Sequence, residues 1–227
     1  MKSIVQIELT NFCNRHCNYC GNRLMTRPKG YADDRLIDRC IEILLQLGQF
    51  KSVGLNHYGE STLHPKLVEY IARFNEAGIT PFLFTNGDFL TDELIDKLAT
   101  VKLDPLVISA HLPREKRIEL WRKCKDRMIA YWQLDFDEEN IINLAGQIGP
   151  EYARPSTTFL TDPATQCHFL SQQRGIVLWN GDVTVCCPDF DGFGVYASIF
   201  DEDILEKNPK PFGLCAKCPG HPGNFTL

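Results

Sequence analysis

Through the first 136 residues, short β-branched and aromatic runs alternate with longer segments whose apolar residues recur at helical spacing, and no other feature constrains the fold as strongly. Successive strand–helix units return to one sheet only through crossovers, so the pattern implies parallel strands covered by helices. Ser3 to Leu9 reads as the first strand and Asp33 to Leu47 as a helix with Leu36, Ile37, Cys40, Ile41, Leu44 and Leu45 on one face. Lys51 to Asn56 is the second strand, and Lys66 to Ala77 is a helix stopped by Gly78. Thr80 to Thr85 is the third strand, and the next helix, capped by Thr91 with Asp92 and Glu93 in its first turn, runs to Leu98. Leu106 to Ala110 is the fourth strand, Pro113 to Tyr131 a basic helix, and Trp132 to Phe136 a fifth strand. Polar residues then gather at the carboxyl ends of the strands: Asn11, Gly59-Glu60, Asn86, Ser109 and His111. Ligands of parallel α/β folds bind at that edge. From about Asn140 the chain changes to short strands and turns rich in Gly, Pro and Asp. Residues 1–139 and 140–227 are therefore expected to form a main and a smaller domain.

The chain holds ten cysteines in 227 residues. Three of them, Cys13, Cys17 and Cys20, form a C-x3-C-x2-C run just after the first strand. Three thiolates can hold three irons of a [4Fe–4S] cluster and leave the fourth iron open for a ligand. A zinc ion completed by His16 is the alternative.

This run, with Tyr19 as the aromatic residue before its last cysteine, resembles the signature of the radical S-adenosylmethionine (radical SAM) enzymes. Tyr58-Gly59-Glu60 after the second strand and Thr85-Asn86-Gly87 after the third resemble further motifs of that family, in the right order and context. The resemblance implies a partial (β/α) TIM-like barrel of about five to six parallel strands, with SAM chelating the open iron. An electron from the cluster would cleave the sulfonium to a 5′-deoxyadenosyl radical, which abstracts a substrate hydrogen. It further implies that Gly59 and Glu60 meet the SAM amino group, that Asn86 lies beside SAM, and that Tyr19 and Ser109 complete the cofactor site.

A second constellation is C-x13-G-x4-C from Cys167 through Gly181 to Cys186, followed by the C-x2-C of Cys215 and Cys218. It resembles the short, twitch form of the SPASM extension, a small hairpin and helix unit. In that resemblance the four cysteines close one auxiliary [4Fe–4S] cluster suited to electron transfer, making two clusters in all. A structural zinc in the same cage is the alternative. Gly181 would sit at a hairpin turn. Of the remaining cysteines, Cys40 falls on an apolar helix face, and Cys124 in the basic helix has room to be exposed. Cys187, beside a cluster ligand, is either a packed thiol or a residue facing substrate. His57 and His111 follow strands at the reactive edge and join Cys187 as candidate catalytic residues.

Within the family, the nearest likeness is to small twitch-containing dehydrogenases that oxidise a carbinol of an aminocyclitol. It rests on Tyr58-Gly59-Glu60, Thr85 to Leu90, Asn143 with Gly146, and Gly181 to Cys186 with Asp189-Phe190. It departs at Leu144-Ala145, where those dehydrogenases carry an Arg. The expected reaction is oxidation of a small polar molecule, a carbohydrate or cyclitol, with the auxiliary cluster taking the second electron. A redox-neutral epimerase with a Cys hydrogen donor, a peptide-modifying enzyme, and an Fe–S or zinc scaffold remain as other readings. The formal charge of −5 disfavours nucleic acid. Without a leader-like start or an apolar run of membrane-spanning length, a cytoplasmic protein is expected. The segment Arg114 to Arg127, with seven Lys or Arg and three Asp or Glu, is a solvated face or a docking place for a flavodoxin or ferredoxin-type reductant.

Overall fold

The computed structural model describes residues 1–48, 52–109, 112–132 and 167–217. Its strands are β1 (Ser3–Ile7), β2 (Ser52–Gly54), β3 (Thr80–Thr85), β4 (Leu106–Ile108), β5 (Ala130–Trp132), β6 (Arg174–Val177), β7 (Asp182–Thr184) and β8 (Val195–Ser198). The helices are α1 (Asp34–Leu47), α2 (Leu67–Glu76), α3 (Asp92–Thr100), α4 (Arg114–Cys124) and a single turn, α5 (His168–Ser171). All eight strands form one mixed sheet in the order β5-β4-β3-β2-β1-β6-β7-β8. The first six run parallel to one another, as a partial barrel requires, whereas the β6–β7 and β7–β8 pairs are antiparallel. Thus β1 lies between β2 and β6, with Gln6 opposite Gly54 on one side and Ile176 on the other. The expected domain boundary at 139/140 lies outside the described residues.

Local chemistry explains where the helices begin. The Asp33 carboxylate accepts from the Leu36 amide at 2.8 Å, and the Thr91 hydroxyl accepts from Leu94 at 3.2 Å, each satisfying an orphan amide of a first turn. Gly48, at φ 62°, ends α1 in the left-handed region. On α1 the buried stripe is Leu36, Ile37, Cys40, Ile43 and Leu44. Ile43 replaces the expected Leu45, which is 57% exposed, because a 3.6-residue period turns position 45 past the edge of the stripe.

The basic helix is shorter than expected and the fifth strand earlier. Ala130, Tyr131 and Trp132 pair with Leu106, Val107 and Ile108, and the Trp121 indole donates to the Ala130 carbonyl at 2.9 Å. Pairing with β4 outweighs the helical spacing, so α4 stops at Cys124. That cysteine is fully buried, where the sequence left room for exposure. Helices α1 to α3 share one core with Ile7, Val53, Leu55, Leu83, Leu106 and Ile108, residues that alternate with a second set on the opposite face of the sheet.

Candidate active site

The cysteine loop leaves the carboxyl end of β1 and is held from two sides. On one side, the Arg15 guanidinium grips the Asp88 carboxylate with two bonds of 2.6 Å, and Asn14 donates to the same carboxylate at 2.7 Å. Asn86 in turn donates to the Asn14 side chain at 2.8 Å. Arg15, through its hydrogen bond, holds the Asp88 carboxyl below the usual aspartate range. This fixes the loop to the turn after β3.

Within the loop, the Cys20 amide donates to the Cys17 carbonyl at 3.1 Å. Cys13, Cys17 and Cys20 are each partly buried, and no described cysteine forms a disulfide. Burial pushes the Cys20 thiol up to about 11 and raises Cys13, with Lys29 pulling both the other way. Burial likewise raises the Tyr19 phenol. A metal that displaces the protons from such thiols gains ligands already shielded from water.

The edge beside the loop is stapled by Glu60. Its amide donates to the Phe12 carbonyl at 2.8 Å, while its carboxylate is fully engaged. One oxygen accepts from the Thr62 amide, the Thr62 hydroxyl and the Thr85 hydroxyl at 3.1, 2.6 and 2.8 Å. The other accepts from the Asn86 amide at 2.8 Å. The carboxylate therefore joins the end of β2 to the end of β3. Gly59 belongs here by necessity, since a Cβ at this position would lie 1.9 Å from the Thr10 carbonyl oxygen. Asn86 and Ser109 are both buried at the same edge, the Ser109 amide donating to Thr85 at 2.8 Å.

A second clamp reaches the loop from the C-terminal strands, and sequence reasoning missed it. Glu8 is completely buried and pairs with Arg27 through bonds of 2.6 and 2.7 Å. The same guanidinium donates to the Phe190 carbonyl at 2.7 Å. The amides of Thr26 and Arg27 donate to Asp191 at 2.6 and 3.0 Å, and the Thr26 hydroxyl adds a bond of 2.7 Å. Burial alone would raise the Asp191 carboxyl, but these bonds outweigh it and leave it lowered. The Phe190 ring fills the space beside Gly21 and meets Tyr58 edge-on at 5.7 Å. The available signal was Glu8 itself, a charge inside an apolar strand that demands a partner.

The segment holding Asp189 to Asp191 follows Cys186 and Cys187 directly. Asp189 is buried and accepts from the Thr184 hydroxyl at 2.5 Å and the amides of Phe193 and Gly194 at 2.9 and 2.8 Å. The Asp189 amide donates to the Cys186 carbonyl at 3.0 Å. Gly181, at φ 92°, makes the turn before β7, where the hairpin was expected. Cys215 lies in a 3₁₀ turn (Gly213–Lys217), its amide bonded to the Phe212 carbonyl at 2.8 Å, and the Phe212 ring packs against Gly194. Cys167 precedes α5 and accepts from the Ser171 amide at 2.8 Å. Cys218 and His111 lie outside the described residues, as do Asn143, Leu144, Ala145 and Gly146.

Tyr58 stands where the two cysteine regions approach each other. Its phenol is raised well above the usual range, first by burial and then by Cys187, Cys20 and Cys186. His57 meets it edge-on at 4.6 Å, lies 3.5 Å from the Asp189 carbonyl, and is lowered by burial. Both candidates, His57 and Cys187, thus belong to this junction.

Among the described residues, no three His, Cys, Asp or Glu side chains are grouped as ligands of a metal ion. A single ion needs its donors together, whereas the irons of a cluster each take their own thiolate.

A mostly parallel α/β sheet with a three-cysteine loop at its carboxyl edge is the architecture that these elements define. The Radical SAM superfamily profile matches residues 7–134, more than half of the chain. The chain belongs to that superfamily and is an oxidoreductase of the radical SAM type. The S-adenosyl-L-methionine-dependent 2-deoxy-scyllo-inosamine dehydrogenase of Niallia circulans is 30% identical over 219 residues, covering 90% of this chain and 81% of the relative. The PqqA peptide cyclase of Ruegeria pomeroyi is 34% identical over 105 residues, 45% of this chain and 27% of that protein. The crystal structure of BtrN in complex with AdoMet and 2-DOIA has a TM-score of 0.72 at 22% identity, over 91% of this chain and 81% of that one. Likeness at that identity shows the shared fold.

Membership implies a [4Fe–4S] cluster and SAM. The residues fit both. Three soft donors come from one partly buried loop, and the neighbouring Gly59 lacks the side chain that would crowd the edge. Among the described residues, no helix is long and apolar enough to cross a membrane.

Proposed function

We propose that this enzyme dehydrogenates a carbinol of a small polar ring, a carbohydrate or aminocyclitol. The observation that carries the reading is 30% identity across 90% of the chain to a dehydrogenase acting on 2-deoxy-scyllo-inosamine. Cys13, Cys17 and Cys20 would hold the cluster, and the Gly59-Glu60 segment, Asn86, Tyr19 and Ser109 would surround SAM. When bound, these groups supply the electron and the adenosyl radical that takes the carbinol hydrogen. The carbinol carbon would then lose one further electron and its hydroxyl a proton, leaving a ketone.

Residues 140–227 are proposed as the auxiliary unit, with Cys167, Cys186, Cys215 and Cys218 holding a second [4Fe–4S] cluster that accepts that electron. His57, kept neutral by burial, and His111 are the candidate proton acceptors. A flavodoxin or ferredoxin-type donor would meet the exposed cations of the basic segment Arg114 to Arg127, which begins with α4. That face is partly neutralised already, since Lys123 lies 3.5 Å from Asp92 and Arg127 lies 3.1 Å from Asp96.

A second reading is favoured by Cys187, which follows the proposed ligand Cys186 directly and, after burial, is the main cause that raises the Tyr58 phenol. A thiol there could return a hydrogen atom to the opposite face of the substrate radical and invert the carbon; the thiyl radical left behind would take an electron through the auxiliary cluster and a proton from solvent to become a thiol again. Anaerobic turnover in deuterated water separates the two. Dehydrogenation leaves no new hydrogen on the oxidised carbon, whereas deuterium at that carbon, lost in Cys187→Ala, would establish inversion. About eight irons per chain are expected for two clusters, and four irons with one zinc would remove the electron acceptor. Equal release of 5′-deoxyadenosine by the wild type and the Cys13, Cys17, Cys20 triple alanine variant would sink the site assignment.

A further inference from the structure

Asn56, one residue before the His57 to Glu60 edge, is 9% exposed, and its side-chain oxygen is buried with no hydrogen-bond partner among the described residues. Its side chain shares a face of the sheet with Gly54, whose added Cβ would lie 3.2 Å from the Asn56 oxygen and 2.9 Å from the Phe82 ring. That face is the one turned away from the helical core, to which Phe82 and Phe84 contribute nothing. The two rings stand 6.1 Å apart at 76°. Phe84, Val107 and Tyr131 lie in register across β3, β4 and β5, and Phe84 and Tyr131 are 36% and 57% exposed.

A buried amide oxygen without a donor weakens a fold and is seldom kept for packing. A carboxamide offers one acceptor and two donors side by side. Beside it, aromatic rings offer flat apolar surface. A saturated ring bearing neighbouring hydroxyl or amino groups presents the complement of both: C–H bonds on its face and a donor–acceptor pair at its rim.

We propose that Asn56 is a substrate-recognition residue, its carboxamide reading two adjacent polar groups of a polyhydroxylated ring whose C–H face rests on Phe82 and Phe84. The inference rests on the small-ring substrate proposed above. Asn56→Leu, with the same branched shape but without polar atoms, tests it in two ways. Lacking the orphaned oxygen, the variant should melt at a higher temperature than the wild type, with or without clusters. Equilibrium binding of 2-deoxy-scyllo-inosamine and of myo-inositol to the anaerobically reconstituted, SAM-loaded protein should weaken at least about tenfold, the scale of one lost neutral hydrogen bond that leaves its partner unpaired. A lower melting temperature would overturn the inference, because the amide would then have a structural role. Equal binding by both proteins would overturn it while leaving the small-ring reading intact. Failure of the wild type to bind either polyol at millimolar concentration would overturn the small-ring reading and the inference with it.

Discussion

Glu60 accepts four hydrogen bonds at the edge where the motifs meet, all from donors. Glu60→Gln would point an amide N–H at one of those donors, and the resulting unpaired buried group should cost about 1–3 kcal/mol. Urea titration of the metal-free protein reads this directly, and an unchanged midpoint would mean that the staple is dispensable. Gly59→Ala drives a methyl group into the Thr10 carbonyl and should cost about 1–3 kcal/mol by overpacking, visible as a lower melting temperature. The Asp88–Arg15 pair carries a pH signature. Because the folded carboxyl titrates below its unfolded value of about 3.9, its contribution is complete above that pH and is lost as pH falls through the lowered folded value. The stability advantage of the wild type over Asp88→Asn should therefore be constant above about pH 5 and shrink towards pH 3. A gap that stays constant down to pH 3 would show that the pair adds nothing. At this scale the sequence was most legible where a motif is local. The cysteine run could be named from its spacing, and Gly59, Glu60 and Asn86 from short segments that resemble family motifs, but the partners of Glu8 could not, since Arg27 and Trp179 approach it only after the chain has folded.

Between elements, the clamp of Glu8, Arg27 and the Phe190–Asp191 turn binds the exit of the cysteine loop to the strand ends that carry Cys186 and Cys187. Arg27→Met leaves a fully buried carboxylate without its ion partner, and losing one member of such a pair costs about 3–5 kcal/mol. The double variant Glu8→Met, Arg27→Met should recover most of that loss, because the pair and an apolar replacement are close in free energy. Chemical denaturation of the single and double variants measures both effects. Amide exchange in Arg27→Met should quicken in residues 21–30 and 189–191 together; quickening in only one would show that the two segments are not coupled. The strand–helix alternation was readable through β4, since α1 and α3 carry their own side-chain caps and all three helices carry a buried stripe. The end of α4 and the start of β5 were not readable, because pairing of Ala130 with Leu106 is decided by a strand already in place. The hairpin at Gly181 was readable from its glycine, whereas its neighbour in the sheet was not.

Across the whole molecule, the sheet order places the first strand in the interior and gives it a partner from the last quarter of the chain. On a ribosome elongating at about 5–20 residues/s, β1 waits on the order of ten to thirty seconds for residues 174–177 to be made. Throughout that interval its outer backbone groups are unpaired, an open template for other strands. A fragment ending at residue 132 should therefore aggregate or recruit a helper protein. Adding a peptide that spans residues 167–217 in trans should restore solubility; a monomeric, soluble 1–132 fragment would refute this account. The same delay leaves the Cys13 to Cys20 loop uncovered by Phe190 and Asp191 until those residues have been made. Assembly factors that deliver iron and sulfide thus have a time window written into the strand order, and it closes when the C-terminal hairpin docks.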